Sequence, residues 1–428
     1  MSILENLLAK PGQDRSAYAP FWPNENKPEP IKPIMQSTST LTSTSWNLDF
    51  FKLKDIHFLA DEISVLATKS VESNIFFEPE FLQSGIQRID DKGVMLICLW
   101  EGNPGGQALR FFMPVVATKA GLPRYQILRS FTNHFAPLGT PLIHRDNAPE
   151  IAENLLRLLG DPELGIPSTI AFDQQRLSGP TIQLLTQAAD SMGLHHNTIL
   201  SYQRANLQAI DTSSIDPQTF IRQSLGKKRL KEYARLLRRL DETGKITFEI
   251  ARTENSILDA IEGFLTLEAC GWKGRSGTAL YSLKQIVAFS RQAVSALAKN
   301  NQCEIHSMKS GNKIIASLIC FKTKGEYFTW KTAFDEDYNS YSPGVQIMLK
   351  ASEYWLAKKS FVSADSLASA NHSMIDHLWR ERLDLGTLLI KTGKSKAGRF
   401  TKTSDALERY ENTRNLAKSL ITRIKHIF

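Results

Sequence analysis

Two stretches of this 428-residue chain hold residue types at a spacing that can do chemistry. The first is Tyr341-Ser-Pro-Gly-Val345, between an aromatic run and an apolar one. Serine suits a helix N-cap, proline the first helical position, and a glycine behind them leaves backbone N–H groups uncovered. Such a helix start binds phosphate readily, so Tyr341, Ser342, Gly344 and Val345 are candidates for holding a pyrophosphate, although many helices begin Ser-Pro and bind nothing. The second is the group Asp365, His372, Asp376 and His377, just past a short apolar run that reads as a strand, where an open α/β sheet places its ligands. An imidazole oriented by Asp365 or Asp376 can act as a general base. The same residues would equally cap the short helix before Trp379. A metal site from His372, Asp376 and His377 is disfavoured, because residues 376 and 377 point apart on a helix.

The elements that must position these groups show in the hydrophobic periodicity. In the first half, helical patterns over 55–70, 148–159 and 179–193 mix with strand patterns over 94–100, 109–116, 127–131 and 168–172. In the second half, Ser224 is expected to cap a helix ended by Gly244, and a strand follows over 246–250. Helices over 256–269 and 283–297 come next, then three strands over 304–308, 313–321 and 327–334, joined by the turn residues Gly311-Asn312 and Lys324-Gly325. A helix over 344–357, a strand over 361–365, a short helix over 374–382 and a strand over 385–391 complete the order. The fold class is mixed α/β (α+β), with mainly antiparallel sheets flanked by helices.

Composition bounds the function. With 42% apolar residues and no apolar run long enough to span a membrane, the chain is expected to be globular and cytoplasmic, in two or three folded units. Its four cysteines are scattered, without zinc-finger spacing, which fits a reducing compartment and no metal centre. Of the net charge of +8, residues 391–428 hold +7 and residues 227–239 hold +6, which leaves −5 for the rest. Residues 1–44 hold six of the 18 prolines and end in a Ser/Thr run, the composition of a flexible leader. The remaining units are expected at 45–210, 211–393 and a basic amphipathic helix over 394–428. The face of that helix over 404–428 suits docking on this chain or a partner, with a peripheral membrane surface as the sharper reading. No GxSxG, GxxxxGK[ST], HExxH or strand-borne GxGxxG pattern occurs, which removes the common hydrolase, P-loop and Rossmann readings.

Four blocks in order resemble a family. They are Lys227-Lys-Arg-Leu-Lys-Glu-Tyr-Ala-Arg-Leu-Leu-Arg-Arg-Leu240, Glu268-Ala-Cys-Gly-Trp272-Lys273-Gly-Arg-Ser-Gly-Thr278, Ala333-Phe-Asp-Glu-Asp-Tyr338-Asn-Ser-Tyr-Ser-Pro-Gly344, and Asp365-Ser-Leu-Ala-Ser-Ala-Asn-His-Ser-Met-Ile-Asp-His-Leu-Trp379. Together they resemble the GNAT-fold acyltransferase domain of the CelD-type, polysaccharide-biosynthesis-associated family, related to the FemABX peptidyltransferases. A weaker likeness at Asn74-Ile-Phe-Phe-Glu-Pro-Glu-Phe-Leu82 implies a tandem pair of GNAT-like units. The resemblance implies transfer of an acyl group, acetyl above all, from acyl-CoA to an amine or hydroxyl of a saccharide or envelope-related acceptor, with no permanently bound cofactor. The pantetheine would lie along 327–334, touching Thr332 and Ala333, and the pyrophosphate at the helix after Tyr341. On residue type, Tyr338 or Tyr341 could protonate the leaving thiolate, although stacked tyrosines are commoner; Lys273 could bind an anionic acceptor or phosphate and Glu268 a cationic amine, and equally Trp272 could be core with its neighbours a loop. The stretch 341–345 holds one glycine where the GNAT phosphate signature has more, which leaves room for an aminoacyl-tRNA donor, as in the FemABX relatives. Nucleic acid has no other support, and an inactive scaffold is the third reading.

Overall fold

A computed structural model describes residues 31–39, 45–89, 92–103, 106–120, 124–270, 284–393 and 397–425. The first half runs β1 (Met35–Ser39), β2 (Trp46–Lys52), α1 (Ala60–Lys69), α2 (Pro79–Gly85), β3 (Val94–Glu101), β4 (Ala108–Ala120), β5 (Tyr125–Ser130), β6 (Leu142–Ile143), α3 (Ala148–Leu159), β7 (Thr169–Arg176), α4 (Pro180–Ser191) and β8 (His196–Gln208). The second runs α5 (Pro217–Leu225), α6 (Lys227–Thr243), β9 (Ile246–Ala251), α7 (Glu254–Cys270), α8 (Lys284–Lys299), β10 (Cys303–Ser310), β11 (Lys313–Thr323), β12 (Glu326–Phe334), α9 (Pro343–Leu356), β13 (Ser363–Asp365), β14 (Glu381–Lys391) and α10 (Ala397–Lys425).

Fourteen strands form one sheet in the order β1-β2-β3-β4-β5-β7-β14-β8-β13-β12-β11-β10-β9, with β6 beside β4. Two pairs are parallel, β5 with β7 and β12 with β13, and each lies one strand from the junction of the halves. Each half also lends its last strand to the other. β14 lies antiparallel between β7 and β8, and β8 lies antiparallel between β14 and β13. Parallel strands need a crossover, supplied by α3 in the first half and α9 in the second.

The apolar face of the block at 74–82 joins the halves. Phe76 meets Phe328 edge-on at 5.8 Å, and Phe81 meets Phe289 at 5.5 Å and Trp330 at 6.4 Å between ring centres. The core on this side of the sheet therefore runs unbroken from β2 to α8. On the other side of the second half, Tyr327, Ile347, Met348, Trp355 and Trp379 form a separate core beneath α9. α10 docks through Phe400 and Leu407 on Ile127, Ala171, Ile199 and Leu389, and its Glu411 pairs with Arg129 at 2.7 Å. No helix among the described residues is long and apolar enough to cross a membrane.

Several sequence expectations are corrected. The leader is not structureless throughout, since Met35–Ser39 is an edge strand on β2 with Ser37 bonded to Asp161 at 2.6 Å. Its Ser/Thr side chains hide a strand whose stability comes from its partner. Ser224 lies inside α5, capped by Asp216, and Gly226 at φ 77° separates α5 from α6. The helix expected over 374–382 is one 3-10 turn at Ile375–His377, after which β14 begins earlier than its apolar run suggests.

Candidate active site

The two parallel pairs look alike and differ in the chain that leaves them. In the first half the β5–β7 ladder covers two residue pairs, Leu128 with Ile170 and Arg129 with Ala171. Beyond it the loop 131–140 turns back along β7. The amide of Asp173 donates to Ser130 Oγ at 2.7 Å, and Gln175 Nε2 donates to the Gly139 carbonyl at 2.8 Å. A Cβ on Gly139 would stand 2.3 Å from the Asp173 carbonyl oxygen, so the loop fills the gap backbone against backbone. Asn74 Nδ2 fastens it further, donating to the carbonyls of Leu138 and Thr140.

In the second half the β12–β13 ladder ends at Phe328 and Asp365. Thr329 Oγ1 donates to the Ser366 carbonyl at 2.8 Å and forms the root of the gap. The chain then leaves β12 through a 3-10 turn, Glu336–Tyr341, straight into α9 rather than back along β13. The start of α9 thus stands beside the free end of β12, as a donor carrying phosphates on one end and a thioester on the other would require. β12 is also bulged there, because Ile319 stands opposite Lys331 and Cys320 opposite Thr329, which leaves Trp330 without a partner on β11.

Residues 227–363, which hold β12 and the start of α9 and end at the first residue of β13, match the family model described as an acetyltransferase (GNAT) domain. The chain carries a GNAT acetyltransferase domain. It matches no curated protein. Among solved structures it is similar to FemX, at 9% identity over 78% of this chain and 96% of that one, with a TM-score of 0.49. The C-terminal domain of a lysylphosphatidylglycerol synthetase, so named, from Agrobacterium fabrum gives 13% identity, 82% and 96% coverage and a TM-score of 0.48. A tandem GNAT protein from the clavulanic acid biosynthesis pathway gives 12%, 82% and 100%, and 0.39. Likenesses at these scores decide nothing about chemistry.

Within the GNAT domain the expected donor residues share one region. Thr332 and Ala333 lie on β12, while Tyr341, Ser342, Gly344 and Val345 lead into α9. Pro343 takes the first helical position, but Ser342 makes no side-chain cap. It sits in the left-handed region at φ 54°, and its carbonyl accepts from both Val345 and Gln346 at 3.0 and 3.1 Å. Gly344 is buried, and a Cβ there would stand 3.3 Å from Phe334 and 3.4 Å from Met374, so the helix start is narrower than the sequence implies. Tyr338 is half-buried in the 3-10 turn, with Lys313 Nζ 5.2 Å from its ring centre.

The expected base cluster does not assemble. His372 Nδ1 accepts from the amides of Met374 and Ile375 at 3.3 and 3.5 Å, the capping alternative. That cap occupies the Nδ1 lone pair. Asp365 is fully buried and serves Arg204 and the amide of Leu367 instead. Asp376 Oδ1 is buried without a partner, and His377 is exposed. Glu268 is buried near the end of α7, whereas Trp272 and Lys273 lie outside the described residues. Sequence reasoning missed Arg204, Phe135, Trp330 and the loop 131–140. The Pro137 and Gly139 punctuation could have marked the loop, but a bulge has no residue signature.

A cavity of about 610 Å³ lies at the other end of β12, between α1, the start of α2 and the β11–β12 hairpin. On its wall, burial pushes the Glu78 carboxyl up from 4.5 to about 7. The folded state therefore holds that proton more tightly than the unfolded chain, and stability is lost as pH rises from 4.5 through about 7. Glu78→Gln is expected to raise the melting temperature at pH 8, by up to about 3 kcal/mol of stability, and to leave it unchanged at pH 4. Identical melting at pH 8 would contradict this.

Proposed function

We propose that the chain transfers an acyl group, acetyl being the simplest, from acyl-CoA to an amine or hydroxyl of a saccharide or envelope-related acceptor, as a CelD-type member of the GNAT group. The observation that carries this reading is the chain path from β12 through a 3-10 turn into α9 inside the matched segment, next to a β12–β13 ladder that ends at Phe328 and Asp365, while in the first half the loop 131–140 returns along β7. The pantetheine would run along β12 past Thr332 and Ala333, and its phosphates would meet the Gly344 amide and the positive end of α9. The acceptor's lone pair attacks the thioester carbonyl carbon as the C–S bond breaks, the sulfur leaves as a thiolate that takes a proton from Tyr338, and the proton the acceptor sheds returns to the Tyr338 oxygen through water. With His372 engaged as a cap, orientation of two bound reactants carries the rate.

Ser342→Asp tests the donor site. Aspartate tolerates the left-handed backbone and favours a helix start, yet its charge opposes phosphate. Acetyl-CoA binding is expected to weaken by about tenfold or more at an unchanged melting temperature, the worth of one close charge. Undiminished binding would move the phosphates elsewhere.

One observation favours an aminoacyl-tRNA donor as second reading. The exposed cations Lys227, Lys228, Arg229, Lys231, Arg238 and Arg239 of α6 lie on a helix tied to the first turns of α9 by Gln346 Nε2, which donates to the Tyr233 carbonyl at 2.9 Å. Arg235 contributes less, being forked onto Glu232 at 2.6 and 3.1 Å. Salt-sensitive tRNA binding that falls when Lys228 and Arg229 are neutralised would support this donor, and unchanged binding would remove it.

A further inference from the structure

The cavity of about 610 Å³ lies at the first end of β12, where α1 and the start of α2, both from the first half, meet the β11–β12 hairpin of the second. Its size and its place between two folded halves are those of a small-molecule site. Tyr327 on its wall and Ala333 on the proposed donor path are six residues apart along one strand, about 20 Å, so the cavity is separate from that path.

The charges on its wall do not cancel. Lys322 and Lys358 donate to one oxygen of the same buried carboxylate, Glu304, at 3.0 and 2.9 Å, which leaves that trio positive. Lys324, exposed at the hairpin tip, donates to the carbonyl and the hydroxyl of Ser70, each at 3.2 Å, and among the described residues it makes no ion pair. An ammonium has three N–H donors, so one is left for a ligand. Partial burial and the charge of Arg145 pull the Lys324 pKa below the usual lysine value, and an anion beside it would offset that repulsion. Neither the turn nor α1 accounts for a lysine here. Lys324 adopts φ 49° in a two-residue turn that favours Asn, Asp or Gly, and the carbonyl end of α1 is already served by Arg145, which donates to Thr68 and Lys69.

Across the cavity stands Glu78, which accepts from Gln302 Nε2. Burial, with the charge of Glu80 behind it, holds the Glu78 carboxyl up at about 7 against the opposing pull of Gln302, Thr323 and Lys324. Glu80 itself accepts from Asn300 at 2.6 Å. At pH 6 Glu78 is therefore mostly a neutral O–H donor, and by pH 8 it is a carboxylate. The remaining polar groups of the wall include the uncharged Ser64, Thr68, Asn301 and Ser360, the partners that ligand hydroxyls require.

We propose that this cavity is a second binding site, for a small hydroxylated organic acid whose carboxylate or phosphate sits at Lys324 and whose hydroxyls meet Ser64, Thr68, Asn301 and Ser360. Glu78 keeps its proton when the acid is bound, since two anions would otherwise share one cavity. The site does not depend on the identity of the acyl donor.

The test titrates the full chain, without CoA, with glucose, gluconate and glucose 6-phosphate at pH 6 and pH 8. At pH 6 at least one acid is expected to bind about tenfold tighter than glucose or more, and the tighter of the two identifies the anion. Its affinity should fall about tenfold by pH 8 relative to Glu78→Gln, which has no such proton to lose, so that titration of the probe itself cancels. Lys324→Asn suits the left-handed turn and removes the charge; it should abolish the preference for the acid at an unchanged melting temperature. Ser342→Asp, at the proposed donor site, should retain it. Acids that bind no better than glucose, or a preference that survives Lys324→Asn, overturn the site. A preference lost in Ser342→Asp moves the acid to the start of α9 and overturns it as well, and the same pH dependence in Glu78→Gln overturns the part given to Glu78.

Discussion

Expressed as separate pieces, residues 1–210 and 211–428 will each fail to unfold cooperatively, and expressed together they will copurify as a one-to-one complex. The proposed boundary near 210 divides the chain by sequence order, while the sheet divides it otherwise. A piece ending at 210 keeps β7 and β8 but loses β14, the strand that joins them. A piece starting at 211 leaves β13, three residues long, without β8 on one side, and exposes both edges of β14. Unpaired strand edges template aggregation, and the apolar contacts of Phe76 and Phe81 with Phe328 and Trp330 are severed as well. Circular dichroism melts of each piece, and size exclusion of the pair, are the measurements. A sharp melt of 211–428 alone would contradict the exchanged strands.

Asp365→Ala will cost about 3–5 kcal/mol of stability, and the double variant Arg204→Met/Asp365→Leu will recover most of it. Arg204 is 1% exposed on β8, pairs with Asp365 on β13, and already has a buried Nε without a partner. Removing the carboxylate strands a guanidinium in the interior. Removing both charges leaves an apolar contact between adjacent strands. Asp365 Oδ1 also accepts from the Leu367 amide at 2.9 Å, where the backbone turns left-handed at φ 50°, so the chain's exit from β13 depends on the same side chain. Urea unfolding of the three proteins measures this. A stable Asp365→Ala protein that has lost only turnover would return Asp365 to the catalytic role its position in the sequence suggested.

Much of the second half was legible because its periods are clean. The strands from β10 to β12, the helices α7 to α9 and the hairpin turns at Gly311 and Gly325 follow from alternation and turn chemistry. β1 was not legible, since small polar side chains on an edge strand take their order from a partner. Nor was the exchange of β8 and β14, because pairing over such separations is decided by which edges are left open rather than by local pattern. The site divides in the same way. Helix-start chemistry placed Ser342 and Gly344 at the start of α9, while the capping bond of His372 could not be told from a base by sequence, because an imidazole that caps a turn and one that takes protons look alike there. The face that Lys331 occupies was not legible either, because only the bulge at Trp330 decides it.

The most direct measurement of the central claim is the stoichiometry of acetyl-CoA binding to the full chain by isothermal titration calorimetry. With the loop 131–140 packed against β7 in the first half, and the β12–β13 ladder of the second ending where the chain runs on into α9, one molecule per chain should bind, with binding weakened by Ser342→Asp. Two molecules per chain would contradict the sealed first half, and no binding by the folded chain would contradict the acyl-CoA donor.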